Sequence, residues 1–370
     1  MGLGKRPRIL VIAGARPNFM KVAPILRVMR CRDRFETVLV HTGQHYDAKM
    51  SDVFFNDLQI PPPDIHLEVG SGSHAEQTAL VMTKFEKVVM DRRPDSVLVV
   101  GDVNSTLACS VTSAKLCVPV AHVEAGLRSG DRTMPEEINR IVTDALSDYL
   151  FTTEPSGSQN LLKEGKRTDQ IHFCGNVMID SLVFSSDRIK NSTVLRDLQL
   201  KNNGYILVTL HRPSNVDNAD ALRSIVHWLD KLQKKAPVVF PTHPRTRKMF
   251  EHHGLQSEIK KLAGLQMIDP VGYIDFVRLM QGARCVVTDS GGIQEETTFM
   301  GIPCLTMRDN TERPVTIDSG TNTLIGHDSD RLLSEIELIF AGRYKKGGIP
   351  ELWDGKAAER ITDVFEKVLL

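Results

Sequence analysis

The sequence predicts an α/β protein of two domains, each a parallel sheet covered by helices on both faces. Its 370 residues exceed one ordinary domain. Short aliphatic runs, each closed by glycine, aspartate or histidine, alternate with helix-length amphipathic stretches, the pattern of strands buried on both faces. A polar stretch from Ser185 to Gly204 interrupts this rhythm, which then restarts.

In order, Ile9 to Ala13 closes at Gly14, Val38 to Val40 at His41-Thr42-Gly43, Val97 to Val100 at Gly101-Asp102, and Pro119 to Val123 at Glu124-Ala125-Gly126. Leu150-Phe151 and Ile171 to Phe173 complete the first series. After the polar linker, Tyr205 to Leu210 leads into His211, Val238 to Phe240 into Thr242-His243-Pro244, Cys285 to Val287 into Asp289-Ser290-Gly291-Gly292, and Cys304 to Met307 into Arg308-Asp309. From Gly355 to Leu370, apolar residues at Ala358, Ile361, Val364, Phe365 and Leu369 predict one amphipathic helix, which periodicity alone assigns to neither domain. In open α/β sheets ligands bind beyond the carboxyl ends of the strands, so these polar clusters belong to one edge of each domain. Two such edges facing each other would make a two-sided site.

Hydrophobic residues are 41% and charged residues 25%, which excludes a disordered or collagen-like chain. Forty-six basic residues balance forty-six acidic ones. No basic footprint therefore argues for nucleic acid or an anionic membrane, and any bound anion must be met by local groups. The six cysteines, at 31, 109, 117, 174, 285 and 304, show no C-x-x-C spacing and read as free thiols of a reducing compartment. The first apolar run is too short for a secretory signal, and no apolar span reaches about eighteen residues, so a soluble cytoplasmic protein is expected.

Thr288 to Glu296 carries the strongest local signal, with Gly291 and Gly292 opening a helix after a strand. Exposed amides at such a helix start, with the dipole behind them, hold an anion such as pyrophosphate without lysine. Glu295 and Glu296 could accept bonds from ribose hydroxyls. The same residues read equally as a helix capped by Ser290. Gly14-Ala15-Arg16-Pro17 fills the first strand-to-helix turn without a G-x-G-x-x-G or P-loop pattern, which disfavours dinucleotide and NTP binding. Arg16 and Lys21 suit a phosphate or carboxylate, or a plain surface charge.

Carboxylates gather at Asp102, Glu124 and Glu136-Glu137, and two or three in one pocket would have pKa values pushed apart for acid–base work. Each also has a structural explanation: Asp102 as an N-cap, Glu124 paired with Arg128, Glu136 paired with Arg140. His211 and His243 end successive strands and can act as acid, base or phosphate partner. No H-E-x-x-H or H-x-H grouping occurs, so no metal is expected.

Taken in order, Gly14 to Pro17 with Lys21 and Pro24, Thr42-Gly43-Gln44-His45, Gly101-Asp102, His122 to Arg128, Pro135 to Arg140, Gly175-Asn176, Leu210-His211-Arg212, Asp289 to Glu296 and Arg308 to Pro314 resemble the non-hydrolysing UDP-N-acetylglucosamine 2-epimerase family. The resemblance implies a GT-B architecture of two Rossmann-like domains with a cleft between them. It places residues 1–182, joined by the helix 355–370, in the first domain and 183–354 in the second, UDP-binding one. It also implies a cytoplasmic homodimer acting on a UDP-sugar, without metal or cofactor. By position, Asp102, Glu124, Glu136 and His211 correspond to the family's catalytic groups. Arg16, His243, Ser290, Gly291, Gly292, Glu296 and Arg313 fall where the family binds UDP, with Glu296 on the ribose.

The implied chemistry is coherent. No carbonyl adjoins the sugar's C2, so its hydrogen is not acidic, and inversion needs either oxidation or departure of the C1 substituent. The missing dinucleotide fingerprint disfavours oxidation, whereas a pyrophosphate cradle suits UDP as leaving group. Relatives acting on 2,3-diacetamido sugars share these motifs. A hydrolysing epimerase, a GT-B glycosyltransferase and a nucleotide-sugar binding protein are the competing readings. Two segments depart from the family: Arg212-Pro213-Ser214-Asn215 replaces Arg-Glu-Asn, and Gln44-His45-Tyr46-Asp47 replaces Gln-His-x-Gln. With no arginine between Gly70 and Gln77, activation by a second substrate molecule is not expected.

Overall fold

The structure, a computed structural model, describes residues 6–43 and 57–370. Gln44, His45, Tyr46 and Asp47 lie outside the described residues, as does the side chain of Arg16. The chain divides into two compact units, Met1–Phe184 with Glu351–Leu370, and Ser185–Pro350.

The first unit opens with β1 (Arg8–Ala13), α1 (Arg16–Arg32), β2 (Glu36–His41), β3 (Ile65–His66) and α2 (His74–Arg92). It continues through β4 (Ser96–Val100), α3 (Asn104–Lys115), β5 (Val120–Val123), α4 (Pro135–Leu146), β6 (Tyr149–Thr152), α5 (Pro155–Lys163), β7 (Ile171–Phe173) and α6 (Val177–Phe184). Among the described residues these strands form one parallel sheet in the order β3-β2-β1-β4-β5-β6-β7. The central strands are aliphatic and buried along their length, as a sheet covered on both faces requires. Helix α2 starts where Ser73 and Glu76 cap each other reciprocally, Ser73 N–H donating to Glu76 Oε2 at 3.0 Å.

The second unit begins with the expected polar linker, which proves to be ordered structure. Residues 186–191 and 194–197 are short helices, with Ile189, Val194 and Leu195 buried. The strands and longer helices follow as β8 (Ile206–Thr209), α7 (Ala219–Gln233), β9 (Val238–Pro241), α8 (Pro244–His252), β10 (Leu265–Ile268) and α9 (Tyr273–Gly282). Then come β11 (Cys285–Thr288), α10 (Gly291–Met300), β12 (Cys304–Thr306), β13 (Asn322–Leu324) and α11 (Ser329–Phe340). The sheet order is β10-β9-β8-β11-β12-β13, again all parallel. Its core gathers Ile206, Val208, Phe240, Val287 and Leu305 against Trp228, Leu229 and Ile336 of the helices.

The last helix, α12 (Ala357–Leu369), belongs to the first unit. Trp353 is buried and donates from its indole to Thr153 O at 3.0 Å. The Asp180 carboxylate of α6 caps the first turn of α12, accepting from Ala357 and Ala358 N–H at 3.1 and 2.7 Å. Phe365 is fully buried against Phe35, Tyr149 and Phe151.

Both sheets reverse their strand order beside the first strand of the unit: β1 pairs with β2 and β4, and β8 with β9 and β11. Each reversal leaves a crevice at the carboxyl ends of the two diverging strands, where open α/β sheets bind ligands. Gly14 and Gly101 follow β1 and β4; His211 and Asp289 lie just beyond β8 and β11. The fold thus brings sequence-distant motifs to one point in each unit.

Candidate active site

In the first unit the turn after β1 is closed by a residue absent from the expected set. Asn18 accepts from Gly14 N–H and Ala15 N–H at 3.0 and 2.9 Å and donates to Val100 O at 3.2 Å, tying the start of α1 to β4. One turn along α1, Lys21 is buried and its ammonium makes an ion pair with Glu124 Oε2. Glu124 is 2% exposed, its backbone is left-handed at φ 73°, and its Oε1 has no hydrogen-bond partner among the described residues. Held in that conformation, the residue stores backbone strain of the kind that clusters at functional sites. Glu124 therefore pairs with Lys21; Arg128, the partner that sequence spacing suggested, bonds Glu164 and Asp144 instead.

Helix α4 supplies a platform for the same crevice through one face. Glu137, Arg140 and Asp144 recur at helical spacing and are all buried. Glu137 accepts from Ser129 and Gly130 N–H at 3.0 Å and from Arg140 at 2.7 Å. Burial alone would raise the Glu137 carboxyl, but these bonds and the guanidinium charge hold it below its ordinary value. Arg140 reaches Asp102 Oδ2 at 2.5 Å, and Asn139 donates to Asp102 O at 2.8 Å. Asp102, a quarter exposed, is thus gripped through both carboxylate and carbonyl. Glu136 is exposed in the first turn of α4 and makes no hydrogen bond or ion pair among the described residues; Arg140 is engaged by Glu137 and Asp102. Gly101 joins the groups: a Cβ there would stand 2.9 Å from Lys21 Nζ and 3.5 Å from Glu124 Oε2.

In the second unit Asp289, fully buried, organises the turn after β8. Its carboxylate accepts from His211 N–H at 3.0 Å, Arg212 N–H at 2.8 Å and the Asn215 amide at 3.0 Å. It also lies 3.0 Å from His211 Nδ1. Burial would raise this carboxyl, yet the histidine, the asparagine and the Arg212 amide keep it below its ordinary range. With Nδ1–H donating to the carboxylate, Nε2 is the ring atom free to exchange a proton or meet an anion. The His243 ring lies 5.9 Å from that of His211 and caps α8, its Nδ1 accepting from Arg245 N–H at 3.2 Å. That bond leaves Nε2 of a neutral His243 as a donor.

Ser290 occupies the N-cap position of α10, but its side chain makes no cap bond, and no acidic residue stands in the first turn. The capped-helix reading therefore fails on its own terms. Arg313 is 5% exposed and crosses directly over Gly291, where a Cβ would meet Arg313 Nη1 at 2.7 Å. Its Nε is 2.7 Å from Glu295 Oε1, and its Nη1 contacts Glu312, itself paired with Arg308 at 2.8 Å. Glu296 is buried in the next turn. Burial first, and Glu295 second, push its carboxyl up to about 8 against a hydrogen bond from the Tyr273 hydroxyl.

Lys21 stood in the sequence only as a general cation, Arg140 only as a structural partner for Glu136 and Asp289 only as part of the glycine-turn segment, whereas Asn18 and Asp144 were not singled out. The i, i+3, i+7 spacing of Glu137, Arg140 and Asp144 was a readable signal for a buried polar helix face. Nothing in the sequence pairs Asp289 with His211.

Two Rossmann-like parallel sheets, each with ionisable groups and a glycine-lined turn at its strand-order reversal, define a GT-B-like α/β protein. Comparison with known proteins specifies the family. The family model for UDP-N-acetylglucosamine 2-epimerase matches residues 27–366. A UDP-N-acetylglucosamine 2-epimerase of Methanocaldococcus jannaschii is 38% identical over 363 residues, covering 97% of this chain and 98% of that one. The UDP-2,3-diacetamido-2,3-dideoxy-D-glucuronate 2-epimerase of Pseudomonas aeruginosa is 41% identical over 365 residues, covering 98% and 100%. The crystal structure of the M. jannaschii enzyme with UDP-GlcNAc and UDP superposes with a TM-score of 0.90 at 37% identity, covering 97% of this chain and 99% of that one. The chain belongs to the UDP-N-acetylglucosamine 2-epimerase family. No described helix is long and apolar enough to cross a membrane.

Proposed function

We propose that this protein is an epimerase that interconverts UDP-N-acetylglucosamine and UDP-N-acetylmannosamine by eliminating and re-adding UDP. The observation that carries the reading is Glu124: a buried carboxylate in a strained backbone, paired with the Lys21 ammonium and with one oxygen left for a ligand. In the forward reaction a carboxylate takes the C2 proton. The C2–H electron pair becomes the C1–C2 double bond of 2-acetamidoglucal, and the C1–O bond breaks with its pair leaving on UDP. Protonation of C2 from the other face and attack of the UDP oxygen on C1 complete the inversion.

Asp102, Glu124 and Glu136 are assigned to proton handling at C2, and His211 to phosphate departure or proton transfer. Arg16, His243, Ser290, Gly291, Gly292 and Arg313 are assigned to UDP, with Glu296 on its ribose. Amides at the start of α10 and the Arg313 guanidinium would stabilise charge growing on the leaving pyrophosphate. The family resemblance further suggests a homodimer. Free cysteines, four of them buried, fit a cytoplasmic setting.

A second reading, a UDP-2,3-diacetamido sugar as substrate, is favoured by the P. aeruginosa relative. Proton NMR in heavy water with each UDP-sugar tests both. Epimerisation should place deuterium at C2 while both epimers keep UDP, and the substrate turned over names the sugar. Release of free N-acetylmannosamine would instead make the enzyme hydrolytic, and an unchanged spectrum with both sugars would sink the epimerase reading. Asp102→Asn, Glu124→Gln and Glu136→Gln should each fold and lose roughly 10²- to 10⁴-fold in turnover. A variant with the wild-type rate removes its residue from the assignment.

A further inference from the structure

His122, on β5, is fully buried, and both of its ring nitrogens are engaged. Nε2 lies 2.8 Å from Gly101 O, and Nδ1 lies 2.7 Å from Asp144 Oδ1. A carbonyl oxygen only accepts, so Nε2 carries a proton. The other oxygen of Asp144 receives Gly126 N–H at 2.9 Å and the Arg128 guanidinium at 2.7 Å, so Asp144 is placed as an ionised carboxylate. Facing a carboxylate, Nδ1 must also donate. A ring that donates from both nitrogens is an imidazolium.

What this cation fixes is specific. Gly101 has φ 66° and donates its own N–H to Val123 O at 3.0 Å, while its carbonyl accepts from His122. Both peptide groups flanking Gly101 are therefore tied to β5, and the second of them is the peptide nitrogen of Asp102. On the far side of the ring, Asp144 holds the amide of Gly126, two residues past Glu124. The same helix, α4, carries Arg140 onto the Asp102 carboxylate. One buried charged ring thus links the turn bearing Asp102 to the turn bearing Glu124.

Resting on the epimerase reading above, we infer that His122, held as an imidazolium by Asp144, is a positioning residue that sets the Asp102 and Glu124 turns in register for proton transfer at C2. Two measurements test this on the whole enzyme. With ¹⁵N-labelled histidine, both ring nitrogens of His122 should report bound protons at pH 7.5, identified by loss of the signals in His122→Gln. A single protonated nitrogen overturns the inference. In His122→Gln the amide can still donate to Gly101 but carries no charge. Its kcat should fall about 10- to 100-fold, the scale of a small misplacement of reacting groups, with KM and UDP affinity close to wild type. Wild-type kcat in soluble, folded H122Q overturns the inference. Should H122Q not fold, Asp144→Asn, which removes the counter-charge, carries the same kcat-against-KM prediction. The wild-type enzyme separates the two failures: no epimerisation by wild type defeats the functional reading, whereas an active wild type with an equally active variant defeats only the role of His122.

Discussion

Glu124 at φ 73° bears about 1–3 kcal/mol of backbone strain, which the Lys21 ion pair and the buried surroundings must hold in place. Sequence spacing offered Arg128 to Glu124 and Arg140 to Glu136, and the fold chose otherwise in both cases. Side chains near one another along a strand end or helix face compete with groups delivered from other elements, here Lys21 from α1 and Glu137 and Asp102 around Arg140. Residue types at strand ends were therefore readable, but their partners were not. Asp289→Asn should lower turnover by about 10²- to 10⁴-fold, because an amide that donates toward His211 favours the wrong tautomer. Steady-state rates at saturating UDP-sugar read this out, and an unaltered kcat would remove the Asp289–His211 pair from the chemistry. Glu296 gives a pH prediction. Its carboxyl rises to about 8 in the folded protein, so folding favours the protonated form. That stability is whole below the ordinary glutamate pKa and is lost as pH climbs from there through about 8. Urea unfolding of Glu296→Gln should show a flatter decline between about pH 5 and 8 than wild type.

At the scale of elements, the central strands were legible because burial on both faces forces a continuous aliphatic run. Of the edge strands, β7 was read from Ile171 to Phe173, but β3, β10 and β13 were not: β3 has only two residues, and Gln266 and Asn322 break the aliphatic runs of β10 and β13. Ser185 to Gly204 read as a linker because its few apolar residues, Ile189, Val194 and Leu195, are too sparse to show a period, yet they are buried. The start of α10 was legible as a glycine turn; that Arg313 lies across it was not, since the two are brought together by the loop after β12. Gly291→Ala would place a methyl 2.7 Å from Arg313 Nη1 and displace the guanidinium from the helix start. UDP affinity measured calorimetrically should fall at least about tenfold, near 1.4 kcal/mol, with secondary structure unchanged. Wild-type affinity would show that the anion is held elsewhere.

Over the whole molecule, the first unit is assembled from both ends of the described chain, with Trp353 and α12 covering α1, α6 and β6. Phe365→Ala empties a fully buried site and should cost that unit about 3–5 kcal/mol. Intrinsic fluorescence and circular dichroism during urea unfolding would show an earlier transition, and an unshifted one would mean the helix adds little. This arrangement also orders events during synthesis. Residues up to Phe184 leave the ribosome long before Trp353 and Phe365 exist, so the aromatic surface around Phe35 and Phe151 waits uncovered while about 170 to 180 further residues are translated. Nascent chains arrested before Glu351 should accordingly be the species that chaperones hold and proteases clip.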